Sequence, residues 1–260
     1  MSKEAEKILK HIHKVFSMWL FDPWVVIKKM MALPFFIKDF MAYKRLNKNR
    51  DFNISLRDIY FSSYDRFLKA SIVPVHYFYQ DLWAAKFIFD NGIEEHTDVG
   101  SRIDGFIAHI LPFCKVTYID IRPLDIEVEG FYFRQGSILQ MPFSDNSIIS
   151  LSCLHVIEHI GLGRYGDIVD PLGYQNAAWE LSRVLQPGGY LLLAAPVGRQ
   201  RLCFDGHRIF GPKTIINAFD SLKLDEFSLI NDEGRMIIHN ASLVEAQNCE
   251  YGCGLFVFRK

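Results

Sequence analysis

The sequence predicts an α/β protein built on a doubly wound, largely parallel sheet, and three observations predict it. From Glu95 onward, short apolar runs of strand character alternate with segments of helical period over about 160 residues. A Pro187-Gly188-Gly189 turn separates a strongly amphipathic helical segment from a buried apolar run. Two predicted strand ends carry acids, Asp98 and Asp120, 22 positions apart, and open α/β sheets bind ligands outside the carboxyl ends of their strands.

Bulk properties narrow the reading. The chain has 260 residues, half of them hydrophobic and 14% aromatic, with 22 Phe, which excludes a disordered polymer and allows one medium domain plus a helical extension. Lys and Arg number 29 against 30 acids; that balance offers no electrostatic footprint for nucleic acid, so no nucleic-acid partner is expected. Cys114, Cys153, Cys203, Cys249 and Cys253 are odd in number, scattered and free of a Cys-x-x-Cys pair. They read as ordinary thiols in a reducing compartment. The start of the chain alternates Lys and Glu without an apolar stretch and small-residue cleavage site, so no signal peptide and a cytoplasmic location are expected.

Residues 1–90 are expected to form an aromatic-rich helical extension and residues 91–260 the catalytic domain. Residues 12–43 mix Phe16, Trp19, Trp24, Phe35 and Phe40 with Lys28, Lys29 and Lys38. The longest uncharged run, 30–37, contains Pro34 and is far short of the roughly 18 to 20 apolar residues that span a bilayer. Peripheral membrane contact, packing against the parent domain or a homodimer contact are the readings left open. Residues 75–90 turn helical after Pro74 and break at Asn91-Gly92. Beyond them the pattern predicts strands ending at Gly100 and over 115–121, 131–136, 148–153, 190–195, 224–230 and 254–259. Helices are predicted over 103–111, 174–185 and, started by Pro212, 212–219.

Asp98-Val99-Gly100-Ser101-Arg102-Ile103-Asp104-Gly105 occupies the first strand-to-helix turn. Gly100 lets backbone approach a ligand without a Cβ, Asp98 can accept hydrogen bonds from the turn or from an ammonium, and Arg102 can reach a carboxylate. Asp120 stands near the spacing of about 20 at which an acid meets a ribose diol. In the third turn, Ser137 and the backbone of Ile138 could hold an adenine edge.

Residues 98–105, Asp120, 136–143, Leu154-His155-Val156-Ile157-Glu158-His159 and Val184-Leu185-Gln186-Pro187-Gly188-Gly189 match, in order and spacing, the class I S-adenosylmethionine-dependent methyltransferases, over about 135 residues. Within them the chain most resembles a branch of unknown function often associated with bacterial surface-polysaccharide genes. Its marks here are Asp98-Val99-Gly100-Ser101 and the run from His159 to Asp167, including Gly161-Leu162-Gly163-Arg164-Tyr165. The resemblance implies a Rossmann-like seven-stranded sheet with an antiparallel last strand, S-adenosylmethionine as cofactor, and Ser101 and His155 among the residues that hold it. The resemblance supplies no substrate; the activity expected for the chain is O-methylation of a small or sugar-containing acceptor in surface-glycan metabolism. The superfamily has glycine where this chain has Arg102 and Asp104.

His155-x-x-Glu158-His159 also fits a zinc motif, but that motif needs an uninterrupted helix and a further ligand, so no metal is expected. His159 suits a general base. The glycine-rich run 161–171 could fold over the acceptor and present Arg164 and Tyr165. Residues 196–208 gather Arg199, Arg201, Asp205 and His207 near the catalytic edge; the arginines suit an anionic acceptor, and Asp205 or His207 is an alternative base. The competing readings are a nicotinamide-dependent oxidoreductase, whose fuller Gly-x-Gly-x-x-Gly turn is missing here, and a non-catalytic binding protein on the same fold.

Overall fold

The computed structural model describes residues 23–47, 74–204 and 206–260, with Ile54, Ser55, Ile59, Ser62, Asp65 and Phe67 between the first two stretches. The chain divides into two units, Met1–Ile72 and Val73–Lys260. In the first, helix α1 (Pro23–Leu46) continues through Pro34, and Phe36 stacks on Phe40. Apolar side chains such as Met30 and Met41 stand exposed along it. Among the described residues no helix is long and apolar enough to cross a membrane.

The second unit opens with α2 (Val75–Asp90), set off by Pro74. Its Ala84, Ala85 and Ile88 are buried against Phe106, Ile107 and Ile110. That packing places α2 in the larger unit, so the boundary falls at residue 73 instead of the expected 91. Strands β1 (Glu95–Val99), β2 (Lys115–Asp120), β3 (Phe131–Gln135), β4 (Ile148–Leu154) and β5 (Leu185–Val197) follow. A π-helical segment, Ile103–Ile107, runs into a short α3 (Ala108–Ile110) between the first two strands, where a single regular helix was predicted. Helix α4 (Gly173–Val184) precedes β5. The chain closes with hairpin β6 (Arg201–Cys203) and β7 (His207–Ile209), then α5 (Pro212–Ala218), β8 (Lys223–Ile230), β9 (Ile238–His239), α6 (Leu243–Asn248) and β10 (Gly252–Arg259).

The main sheet has the order β3-β2-β1-β4-β5-β10-β8-β9. The first five strands are parallel to one another, and β10 lies antiparallel between β5 and β8. The fold is therefore the expected Rossmann-like sheet, extended at one edge by the two-residue strand β9. Side chains alternate as the pleat requires. Leu191, Leu193 and Ala195 of β5 face a core with Ala178 and Leu181 of α4, while Leu192 and Ala194 face the core under α2. Both faces are covered, which explains why the central strands are apolar throughout. The winding direction reverses between β1 and β4, and the crevice beyond their carboxyl ends is the place where such sheets bind ligands.

Candidate functional site

The turn after β1 is held from beneath by a buried polar network. Asp98 is fully buried, and its carboxylate accepts from the Ser101 N–H at 2.9 Å, the Ser101 hydroxyl at 2.6 Å and the Ser152 hydroxyl. His96 bridges Ser150 at 2.7 Å and Ser152 at 2.8 Å. Burial raises the Asp98 pKa to about 6, against the hydrogen bonds that favour its charge, and lowers that of His96 to about 3. Asp98 thus organises the turn from inside. Gly100 sits at φ +69°, where a Cβ would be strained and would press the Val156 side chain at 3.2 Å. Its N–H donates to the Ile119 carbonyl at 2.9 Å. Arg102 forks onto Asp104 at 2.8 and 3.1 Å and lies over the Tyr77 ring. These two side chains pair at the wall of the second cavity.

A narrow cleft lies across this turn, lined by Gly100, Asp120, Gly136, Ser137, Ile138 and Val156 among others. Asp120 ends β2, and its carboxylate accepts from Arg122 through Nε at 3.0 Å, Nη2 at 2.7 Å and the backbone N–H at 2.9 Å. Burial works to raise its pKa, but the Arg122 hydrogen bonds outweigh it and the value is lowered. The Arg122 guanidinium also covers the Tyr165 ring at 4.8 Å. Ser137 turns inward on its own loop, accepting from the Leu139 N–H at 3.2 Å.

A second cavity of about 750 Å³ adjoins the cleft and shares Gly100, Arg122, His155, His159 and Tyr165 with it. Arg102, Arg164, His207, Tyr77 and Tyr251 complete much of its wall. Residues 157–161 form turns, not the helix a zinc motif needs. His159 donates through Nδ1 to the Gly206 carbonyl at 2.7 Å, which leaves the lone pair on Nε2. Nε2 lies 3.7 Å from Glu158 Oε1. Burial moves both groups toward neutrality, lowering His159 to about 4 and raising Glu158 to about 8. Near pH 7 the pair holds its proton on Glu158. His155 follows β4 at φ +56° with Nδ1 on Gln80 Oε1 at 2.7 Å.

The structure therefore brings Gly100, Ser101, Arg102, Asp120, Ser137, Ile138, His155, His159, Arg164, Tyr165 and His207 to one edge of the sheet, with Asp98 buried behind it. Arg199 and Arg201 line neither cavity. Arg201 donates to the carbonyls of Arg199 at 3.0 Å and Glu250 at 2.7 Å and pairs with the Glu250 carboxylate at 3.1 Å, fastening the β6 hairpin to the segment before β10. Asp205 lies outside the described residues. The third arginine of that run, Arg208, donates to the Ile160 carbonyl at 2.6 Å and covers Tyr174. Sequence reasoning missed Tyr77, Arg122 and Tyr251 in the wall. Only Arg122, two residues past the acid at the end of β2, left a local signal.

Among solved structures, the chain resembles a putative sarcosine dimethylglycine methyltransferase from Galdieria sulphuraria at 15% identity and TM-score 0.50, over 69% of this chain and 84% of that one. It also resembles the [4+2]-cyclase SpnF at 13% identity and TM-score 0.51, over 80% and 85% of the two chains. These likenesses establish the class I methyltransferase fold, and the cyclase shows that the fold carries more than one chemistry. No curated protein matches the chain. Residues 114–260 match the family described as Caenorhabditis protein of unknown function, DUF268, and the chain belongs to that family.

Proposed function

We propose that this chain is an S-adenosylmethionine-dependent methyltransferase acting on a hydroxyl of a small, anionic, sugar-containing acceptor. One observation carries the reading: Gly100, Asp120 and the 136–139 turn line a single cleft that opens beside a cavity holding a neutral histidine. The residues suit the cofactor. Gly100 leaves room for close approach, Asp120 offers a carboxylate to ribose hydroxyls once Arg122 swings aside, and the Ser137–Ile138 backbone suits an adenine edge. Arg122 is more than half exposed, so moving it is inexpensive.

When bound, S-adenosylmethionine supplies an electrophilic methyl group. The protein's part is alignment and proton handling. Arg102, Arg122 and Arg164 place cationic groups in the cavity wall, with Asp104 and Asp120 neutralising two of them and Glu158 protonated at neutral pH. The remaining positive charge favours a phosphate or carboxylate on the acceptor. His159 Nε2 receives the hydroxyl proton as the oxygen's acidity rises along the reaction.

Calorimetric titration with S-adenosylmethionine, S-adenosylhomocysteine and NAD tests the reading. One-to-one binding of the first two with no heat from NAD is expected. NAD binding, or no binding of the sulfur compounds, would replace it with the oxidoreductase or the non-catalytic reading.

A further inference from the structure

We propose that His76, His155 and Cys253 form a binding site for a borderline-soft divalent cation of the zinc type. The residues lie at the start of α2, one position after β4 and at the start of β10. One donor atom from each lies within 4.8 Å of the other two. A tetrahedral zinc ion with its usual Zn–N and Zn–S bonds needs donor separations of about 3.3 to 3.6 Å. Closing the observed cluster onto an ion therefore takes shifts of roughly an ångström, within the reach of side-chain torsions. The His76 and His155 ring centroids stand 5.7 Å apart, a spacing that two imidazoles sharing one ion can adopt.

A second observation points to a missing ligand. Among the described residues, the buried side-chain atoms without a hydrogen-bond partner are His155 Nε2 and Glu158 Oε2. Buried polar atoms are nearly always paired, and each unpaired one costs about 1 to 3 kcal/mol. His155 is 8% exposed and Glu158 1%. His155 is also oriented as a metal-binding imidazole is: its Nδ1–H donates to Gln80 Oε1 at 2.7 Å, and the Gln80 amide is fixed in turn by donating to Asp81 at 3.1 Å. The Nε2 lone pair is left without a proton to accept. The left-handed backbone at His155, uncommon for a residue with a Cβ, adds a local cost typical of functional positions.

The charges also close. Two neutral imidazoles leave the ion's two positive charges to be balanced, and Cys253 contributes one negative charge when its thiol proton is released to solvent as the S–metal bond forms. Glu158 is neutral at pH 7, so the second positive charge is left for an anion at the ion's remaining position. Three protein donors leave one position open on a tetrahedral ion. The ligand set differs from the His-x-x-Glu-His pattern in the sequence: His159 is held by Gly206 and takes no part.

The test uses the full chain, stripped with chelator and titrated first with Co²⁺ and then with Zn²⁺. One equivalent of Co²⁺ should produce visible bands of a tetrahedral ion together with a near-ultraviolet thiolate charge-transfer band, and Zn²⁺ should bleach both. Cys253→Ser should abolish the charge-transfer band, and Gln80→Ala should keep it while weakening binding about tenfold. Should Cys253→Ser fail to fold, His76→Asn at the half-buried end of the helix must weaken Co²⁺ at least tenfold. His109→Ala, outside the cluster, should bind like the parent. A folded parent chain with no stoichiometric band, or a band that survives Cys253→Ser or is lost in His109→Ala, overturns the proposal. The readout is independent of methyl transfer, so failure of one reading leaves the other standing.

Discussion

His96 shows how a single buried side chain can govern the candidate cofactor turn from behind the sheet. Its ring joins Ser150 to Ser152, and the Ser152 hydroxyl in turn holds Asp98. Burial lowers its folded-state pKa to about 3 from 6.5, so the unfolded chain takes up the proton first. Its contribution to stability is complete above pH 6.5 and is lost as pH falls toward 3, by about 2 to 3 kcal/mol at pH 4.5. Asp98 runs the other way, its contribution lost as pH rises from 3.8 to about 6. That opposing term is common to parent and variant and largely cancels in their difference. The stability gap between the parent and His96→Leu, measured by urea unfolding, should therefore shrink steadily from pH 6.5 to 4.5; a constant gap would show that the ring is not held neutral. At the cleft, Asp120→Asn should weaken S-adenosylhomocysteine about tenfold, the scale of one charge-assisted hydrogen bond. Arg122→Ala should instead tighten it severalfold, because the fork on Asp120 no longer competes with the ribose. Calorimetry on both variants separates the two effects, and weaker binding by Arg122→Ala would assign that arginine to the ligand. Gly100 and Asp120 were legible in the sequence because strand ends and their spacing are local. His96 and the Gln80–His155 contact were not, since hydrogen-bond partners 54 or 75 positions apart leave no periodic trace.

The segment 160–171 gives Arg164 and Tyr165 to the wall of the second cavity. It reads in sequence as a glycine-rich loop, yet it is closed at its neck. Asp170 N–H donates to the Gly161 carbonyl at 3.0 Å, and Asp167 accepts from the Gly161 N–H at 2.7 Å. Gly161 has φ +78°, and a Cβ there would collide with the Asp170 carbonyl. The result is a compact loop of the Ω kind, packed by its own groups. Arg208 of β7 ties it to the hairpin through the Ile160 carbonyl and also covers the Tyr174 ring of α4. Removing that guanidinium leaves a carbonyl unpaired and frees one side of the loop, so Arg208→Ala should cost about 1 to 3 kcal/mol. It should also raise amide exchange within 160–171 while exchange in β4 and β5 stays unchanged. Uniform acceleration through the sheet would mean that Arg208 supports the core and not the loop. Period-two apolar strands made the central sheet readable, as Leu191, Leu193 and Ala195 against Leu192 and Ala194 illustrate. Hairpin β6–β7 escaped because its pairs, such as Arg201 with Ile209 and Leu202 with Arg208, mix charged and apolar residues and mimic a loop. The π-helical turn at 103–107 escaped for another reason: its apolar residues satisfy an ordinary helical period, while Gly105 lies against Asp81 of α2, a contact that no local pattern reveals.

For the whole molecule, the division at residue 73 carries the clearest consequence. Both layers of apolar packing described for the sheet lie in Val73–Lys260: α4 and α5 cover one face, while α2 and the 103–110 turn cover the other. The cleft, the second cavity and the His76–His155–Cys253 cluster are likewise built from residues of that unit alone. A unit that buries its own core and carries its own site needs no outside segment to fold. A fragment spanning 73–260 should therefore unfold in one cooperative transition and bind S-adenosylhomocysteine within about twofold of the full chain, since a twofold change is about 0.4 kcal/mol and no cavity-lining residue has been removed. Starting the fragment at residue 91 should have a different outcome. Loss of α2 strips Ala84, Ala85 and Ile88 from the core and Tyr77 from the cavity wall, and uncovering several fully buried side chains costs more than a marginally stable domain holds. Thermal denaturation of the two fragments beside the full chain decides the matter: a sharp transition for 73–260 and none for 91–260 is expected, whereas equal behaviour of the two would return the boundary to the end of α2.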